Sequence, residues 1–151
     1  MVITPTITVT ATAYSIGQSV GGKIKLSGVN AIPGGEAFLH HIEILDRSNT
    51  KPAGDLLFFN ADPTAATLTD NASFVYSTDD KKQDARVHVY ASNYQTINSK
   101  ATADLPNIGV IVKSAATTDL WVAFVMDGTS NPTFTATTDL QIVFKFALKN
   151  K

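Results

Sequence analysis

Four residues in one short stretch, His40, His41, Glu43 and Asp46, are of the types that ligate metals or move protons. Their spacing limits what they can do together. Adjacent side chains of an extended chain point to opposite faces, so His40 and His41 cannot serve one ion. His41 and Glu43, two apart, can share a face, and His88 could join them from another strand. There is no HxxxH pair and no second carboxylate fixed nearby, so these residues read as structural, with no metal ligand assigned.

The other chemical constellations read in the same way. Ser, His and Asp all occur, but no GxSxG turn presents a nucleophile. Asp79 and Asp80 belong to a mixed-sign cluster with Lys81, Lys82 and Asp84, which suits a solvated hairpin or loop better than a carboxylate pair working across a bond. Gly21-Gly22 and Gly34-Gly35 lack the strand, Lys and helix order of a phosphate cradle and read as turns. No catalytic or cofactor-binding residue is assigned, no cofactor is expected, and the chain reads as a binding protein rather than an enzyme.

The aromatics offer one more chemistry. Tyr14, Tyr76, Tyr90, Tyr94 and Trp121 could stack on sugar rings if exposed on a sandwich. Trp121, however, lies in the apolar run Leu120 to Met126 and reads as core or interface.

Composition narrows the partners. The chain has 151 residues, 12 Lys plus Arg against 13 Asp plus Glu, a net charge of -1, 17% charged residues and no cysteine. A nucleic-acid groove needs clustered base that is missing here. No apolar stretch approaches the roughly 20 residues of a membrane helix, and the opening Met-Val-Ile-Thr-Pro carries no basic segment followed by an apolar run. Neither nucleic acid nor membrane is therefore expected as a partner. A surface of Thr, Ser, Asn and Ala loses its water at low cost, which suits packing against another protein.

The elements that must position these residues are strands. Ile7, Val9, Ala11 and Ala13 alternate with Thr6, Thr8, Thr10 and Thr12, predicting a half-buried strand after Pro5. Lys23 to Leu26 predicts a second. Ala37 to Arg47 predicts a long central strand with rows Phe38, His40, Ile42, Ile44 and Leu39, His41, Glu43, Leu45. Leu56 to Phe59 predicts a strand buried on both sides. The segment Asn60 to Asn71 is the least β-like, with Asp62-Pro63-Thr64 able to start a turn or short helix. Further strands are predicted at Ser73 to Ser77 and around Val87 and Val89, with an irregular polar connection from Ser92 to Asn107. Ile108 to Lys113, Leu120 to Met126 and Leu140 to Leu148 complete the set. Such spacing predicts an all-β fold, an antiparallel β-sandwich that is jelly-roll-like, as a single domain over residues 1–151. Residues 1–14 are expected to form a strand or arm that contributes to an oligomer.

Three phrases, ITPTITVTATAYSIGQSVGGKI, DLLFFNADPTAATLTDNASF and DLWVAFVMDGTSNPTFTATTDLQIVFKFAL, together resemble small β-rich virion proteins of tailed bacteriophages. The resemblance spans nearly the whole chain in order. It implies a capsid decoration, or cement, protein: a homotrimer assembled in the host cytoplasm, sitting on the outer capsid surface and clamping the major capsid protein. Within that reading the N-terminal alternation makes Thr6, Thr8, Thr10, Thr12 and Tyr14 the expected partner-binding residues, on a strand that could extend a neighbour's sheet. The alternative is a virion-associated carbohydrate- or receptor-binding module using the exposed aromatics.

Overall fold

The two-residue rhythm resolves into nine strands, and no α-helix occurs, among the residues that the computed structural model describes, 1–64, 66–78 and 82–148. The strands are β1 (Val2–Ile3), β2 (Ser19–Leu26), β3 (Glu36–Asp46), β4 (Gly54–Phe59), β5 (Gln83–Val89), β6 (Tyr94–Ile97), β7 (Lys100–Lys113), β8 (Leu120–Met126) and β9 (Leu140–Leu148). All pair antiparallel, in sheets ordered β1-β9-β3-β7-β6 and β2-β8-β4-β5. The chain crosses between sheets at every step from β1 to β4 and again from β7 to β9. That is the wrapping of a jelly roll, with β6 added as a hairpin partner of β7. The predicted fold class is the one observed.

The inner faces meet in one continuous core. Ile24, Leu26, Leu56, Phe58, Val122 and Phe124 come from the four-stranded sheet, and Leu39, Ile42, Ile44, Ile142, Phe144 and Phe146 from the five-stranded sheet. Phe58 and Phe144 meet edge to face at 5.9 Å and 88°. β4 and β8 are also apolar on the outside, where Leu57, Phe59, Trp121 and Ala123 form a second cluster covered by Leu68 and Phe74. The predicted two-sided burial of Leu56 to Phe59 holds for this reason, and of the two readings of Trp121, core or interface, the first is the one seen.

Four local readings are corrected. In β3 the register slips between Leu39 and His41, so the inner row runs Ala37, Leu39, Ile42, Ile44 and the outer row Phe38, His41, Glu43, Leu45. Strict alternation pairs these residues differently because it allows no bulge. Gly21 and Gly22 do not end a turn before a strand; they are a bulge inside β2, both at positive φ. The connection predicted from Ser92 to Asn107 contains β6 and most of β7, joined by Asn98 and Ser99 at φ 49 and 62. Both central residues are left-handed, as a type I′ hairpin requires, but the usual Asn-Gly signal is missing. Ser73 to Ser77 forms isolated bridges, Ser73 to Gln18 and Val75 to Thr67, in place of a strand. Part of the charge cluster, residues 79–81, lies outside the described residues, whereas Gln83 and Asp84 begin β5.

Gly54 offers a test of how closely β4 is held. It lies between β5 and β8, and a β-carbon there would stand 2.1 Å from the Val125 carbonyl oxygen. Backbone cannot yield as a side-chain tip can. Gly54→Ala is expected to cost about 1–3 kcal/mol or more, lowering Tm by roughly 3–10 °C. A thermal melt unchanged within 1–2 °C would mean that β8 moves aside without strain.

Candidate interaction face

The two outer sheet faces are treated differently by the chain. On the four-stranded sheet the excursion between β4 and β5 lays Leu68 and Phe74 over Trp121. On the five-stranded sheet no segment among the described residues does the same, and Val2, Phe38, Ile97 and Ile111 stand 39% to 63% exposed. Cross-strand register places all four on the outer face: Phe38 is opposite Ile111, Val2 opposite Lys145, and Ile97 opposite Lys100.

At the middle of this face lies a cluster of charge. Glu43 of β3 is opposite Asp104 of β7, and His41 is opposite Lys145 of β9. The Lys145 ammonium donates to Glu43 Oε1. His41 Nε2 packs against Asp104 Oδ1 and lies 3.5 Å from Glu43 Oε1, but it is buried without a well-formed hydrogen bond. Beside it a cleft of about 360 Å³ is lined by Glu43, Leu45, Thr102, Asp104, Gln141 and Val143. An imidazole and two carboxylates can hold a cation or accept hydrogen bonds. No serine or cysteine stands among them.

Sequence reasoning placed His41 and Glu43 on one face, and the structure agrees. It missed Asp104 and Lys145, which arrive by strand pairing and are invisible until the order β9-β3-β7 is known. His88, the residue that could have joined them from another strand, is on the other sheet, with Nδ1 2.9 Å from Asp55 Oδ1 and Nε2 3.3 Å from Asp127 Oδ2. Asp46 is separate too. It is fully buried and accepts the amides of Ser48, Thr50 and Lys51 at 3.0, 2.6 and 2.7 Å, shaping the loop after β3.

The N-terminal residues form an arm, not the predicted strand. Only Val2 and Ile3 enter a ladder, while Ile7 and Val9 are buried and Thr6, Thr8 and Thr12 exposed, with Thr10 between. The arm is tied to its own sandwich by Val9 N–H to Thr137 O at 3.0 Å and Tyr14 N–H to Pro132 O at 2.9 Å. Its approach needs Gly21, where a β-carbon would fall 2.3 Å from Ile7 Cγ2.

Tyr14 is therefore corrected. It is fully buried and cannot meet a partner, because its hydroxyl serves a staple. The Thr10 amide donates to Tyr14 Oη at 2.8 Å, Tyr14 Oη donates to Asp70 Oδ1 at 2.7 Å, and Gly21 N–H donates to the same carboxylate oxygen at 2.6 Å. Arm, β2 and excursion are thereby joined at one point. Of the remaining aromatics, Tyr94 is buried with its hydroxyl donating to Pro52 O at 2.8 Å, Trp121 is buried, and Tyr76 and Tyr90 are exposed. Comparison with known protein families, with curated proteins and with solved structures found no match to this chain.

Burial, and then the Asp70 carboxylate that accepts its proton, hold the Tyr14 phenol well above the ordinary tyrosine range. A raised folded pKa contributes stability that is complete below the unfolded value, about pH 10, and is lost as pH rises toward the folded value. Denaturant midpoints are expected to fall above about pH 10, and less steeply in Tyr14→Phe, with Tyr94 shifted in the same direction by burial keeping some slope. At neutral pH the same variant should cost about 1–3 kcal/mol, since it leaves the Thr10 amide and Asp70 without their shared partner. Parallel alkaline slopes in the two proteins would remove Tyr14 from this role.

Proposed function

We propose that this chain is a non-enzymatic decoration, or cement, protein of a tailed-bacteriophage head, docking as a homotrimer on the outer surface of the major capsid protein. The observation that carries the reading is the bare outer face of the five-stranded sheet. Val2, Phe38, Ile97 and Ile111 surround a cluster in which Lys145 pairs with Glu43 and His41 with Asp104, so the face offers apolar contact around a polar centre that can set register. The identity of the partner rests on the resemblance of the three sequence phrases to phage virion proteins. A net charge of -1 supports a protein surface over nucleic acid. A shell under internal pressure gains from many rigid clips, each adding buried area that must be separated before the shell opens.

Val2 lies at the margin of the face, where the arm begins. Thr6, Thr8 and Thr12 continue from it as exposed hydroxyl and methyl groups, and they fit a second strip of the same contact. Sugar binding keeps one supporting observation. Tyr76 and Tyr90 remain exposed, with Tyr90 edge-on to His88 at 4.3 Å and Tyr76 edge-on to Phe74 at 4.6 Å between ring centroids.

Light scattering of the free protein should return three times the 16.1 kDa chain mass, and a monomer at micromolar concentration would count against the trimer. Ile111→Asp and Phe38→Asp place an unpaired charge in the contact and should weaken binding to heads that lack the protein by about tenfold or more, a loss of about 1.4 kcal/mol or more. Both sites are exposed, so melting should change by only a degree or two. Undiminished occupancy on the particle would sink the proposed face. Deleting the arm is a poorer test, because it also removes Ile7 and Val9 from the core. A glycan array bound through Tyr76 and Tyr90, with no affinity for heads, would favour the carbohydrate reading.

A further inference from the structure

We infer that His41, Glu43 and Asp104 form a site for one first-row divalent ion of the zinc or manganese type. Their three ligand atoms, one imidazole nitrogen and two carboxylate oxygens, all lie within 4.8 Å of one another. An ion at about 2.0–2.2 Å from each ligand needs donors roughly 3–4 Å apart, so small side-chain rotations suffice. A second observation points the same way. His41 Nε2 contacts Asp104 Oδ1 and lies 3.5 Å from Glu43 Oε1, so the imidazole is already aimed at the point an ion would occupy. Two carboxylates this close repel unless positive charge lies between them, which Lys145 supplies to Glu43 and a metal ion would supply to both.

Lys145 meets part of that need by pairing with Glu43. It reaches neither Asp104 nor His41 among the ion pairs of the described residues. A carboxylate has two oxygens, so Glu43 can keep Lys145 on one and offer the other to an ion. The ligand set selects the metal: an imidazole donor favours first-row transition ions, whereas calcium prefers six to eight oxygens and magnesium keeps most of its waters. The adjoining cleft leaves room for water, or for a partner's carboxylate, in the open coordination positions.

The rigidity of the platform adds to the case. His41 and Glu43 lie two apart on β3, the central strand of its sheet, and Asp104 is fixed opposite Glu43 by the ladder to β7. Such sites lose little freedom on binding. An ion would pin β3 to β7 on the outer face.

Calorimetric titration of the untagged full chain with zinc chloride, and separately manganese chloride, should show one ion per chain with Kd at or below about 100 μM for zinc, about 5.5 kcal/mol of binding free energy. His41→Ala and Asp104→Asn should each weaken zinc binding at least tenfold, and Asp104 is exposed enough that its variant keeps the fold. Lys145→Met should tighten binding several-fold, because it removes the competing cation, an outcome that a merely structural cluster would not produce. His88→Ala should leave the titration unchanged, and calcium should give no heat. Zinc at 100 times Kd should raise Tm by roughly 5–10 °C in the wild type and not in Asp104→Asn. Absence of zinc and manganese binding below about 1 mM, about 4.1 kcal/mol, or equal affinity in the wild type, His41→Ala and Asp104→Asn, would overturn the assignment.

Discussion

Phe58 of β4 and Phe144 of β9 meet edge to face between the sheets, and the phase of every other strand follows from which of its residues can join them. Burying one Phe side chain is worth about 1.5–3 kcal/mol, whereas an exposed ion pair contributes about 0–1 kcal/mol. The interior therefore decides which face of each strand points inward, and surface charges take whatever positions remain. With period-two side chains, a one-residue slip would carry a whole apolar row into water. The chain avoids that penalty with bulges where its pattern loses step.

β3 makes the point most clearly. Ala37 and Leu39 have one parity and Ile42 and Ile44 the other, so a regular strand can bury only one pair. The slip between Leu39 and His41 buries both. It also settles the histidines: on a regular strand His41 would follow Leu39 into the core, where an imidazole without partners is costly. The bulge turns His41 outward beside Glu43, so the device that repairs the core also builds the cluster on the open face.

How much of this could be read in advance depends on whether a feature is local. β8 is an unbroken apolar run and β4 and β9 are apolar-rich, and their lengths and flanks identify them without knowledge of their neighbours. β7 carries alternating Ala101 and Ala103, which fill the core beneath β3 but are too small to stand out from the polar residues around them. The arm misleads for a different reason. Ile7 and Val9 alternate with Thr as a strand would, and their burial does alternate, but beyond Ile3 the arm joins no ladder. Alternation reports which side is buried; ladder hydrogen bonds are a separate matter. Tyr14, Asp70 and Gly21 illustrate the non-local case, since a staple linking residues 49 and 56 positions apart leaves no trace in spacing.

The remaining asymmetry concerns what the fold leaves free. Over Trp121 the excursion between β4 and β5 is committed to covering the sheet, and polar substitution beneath it would expose apolar area on both sides of the gap. On the opposite sheet the core needs only the inward residues of β3, β7 and β9. Glu43, Asp104 and Lys145 are partly exposed and add little to stability, so Thr or Gln at these positions would serve the sandwich as well. Packing energetics therefore account for Leu39, Ile42 and Phe144 but not for an imidazole facing two carboxylates. A cluster that the fold tolerates without requiring is one whose composition is free to follow a ligand or partner, and it lies on the face where Phe38 and Ile111 are already exposed.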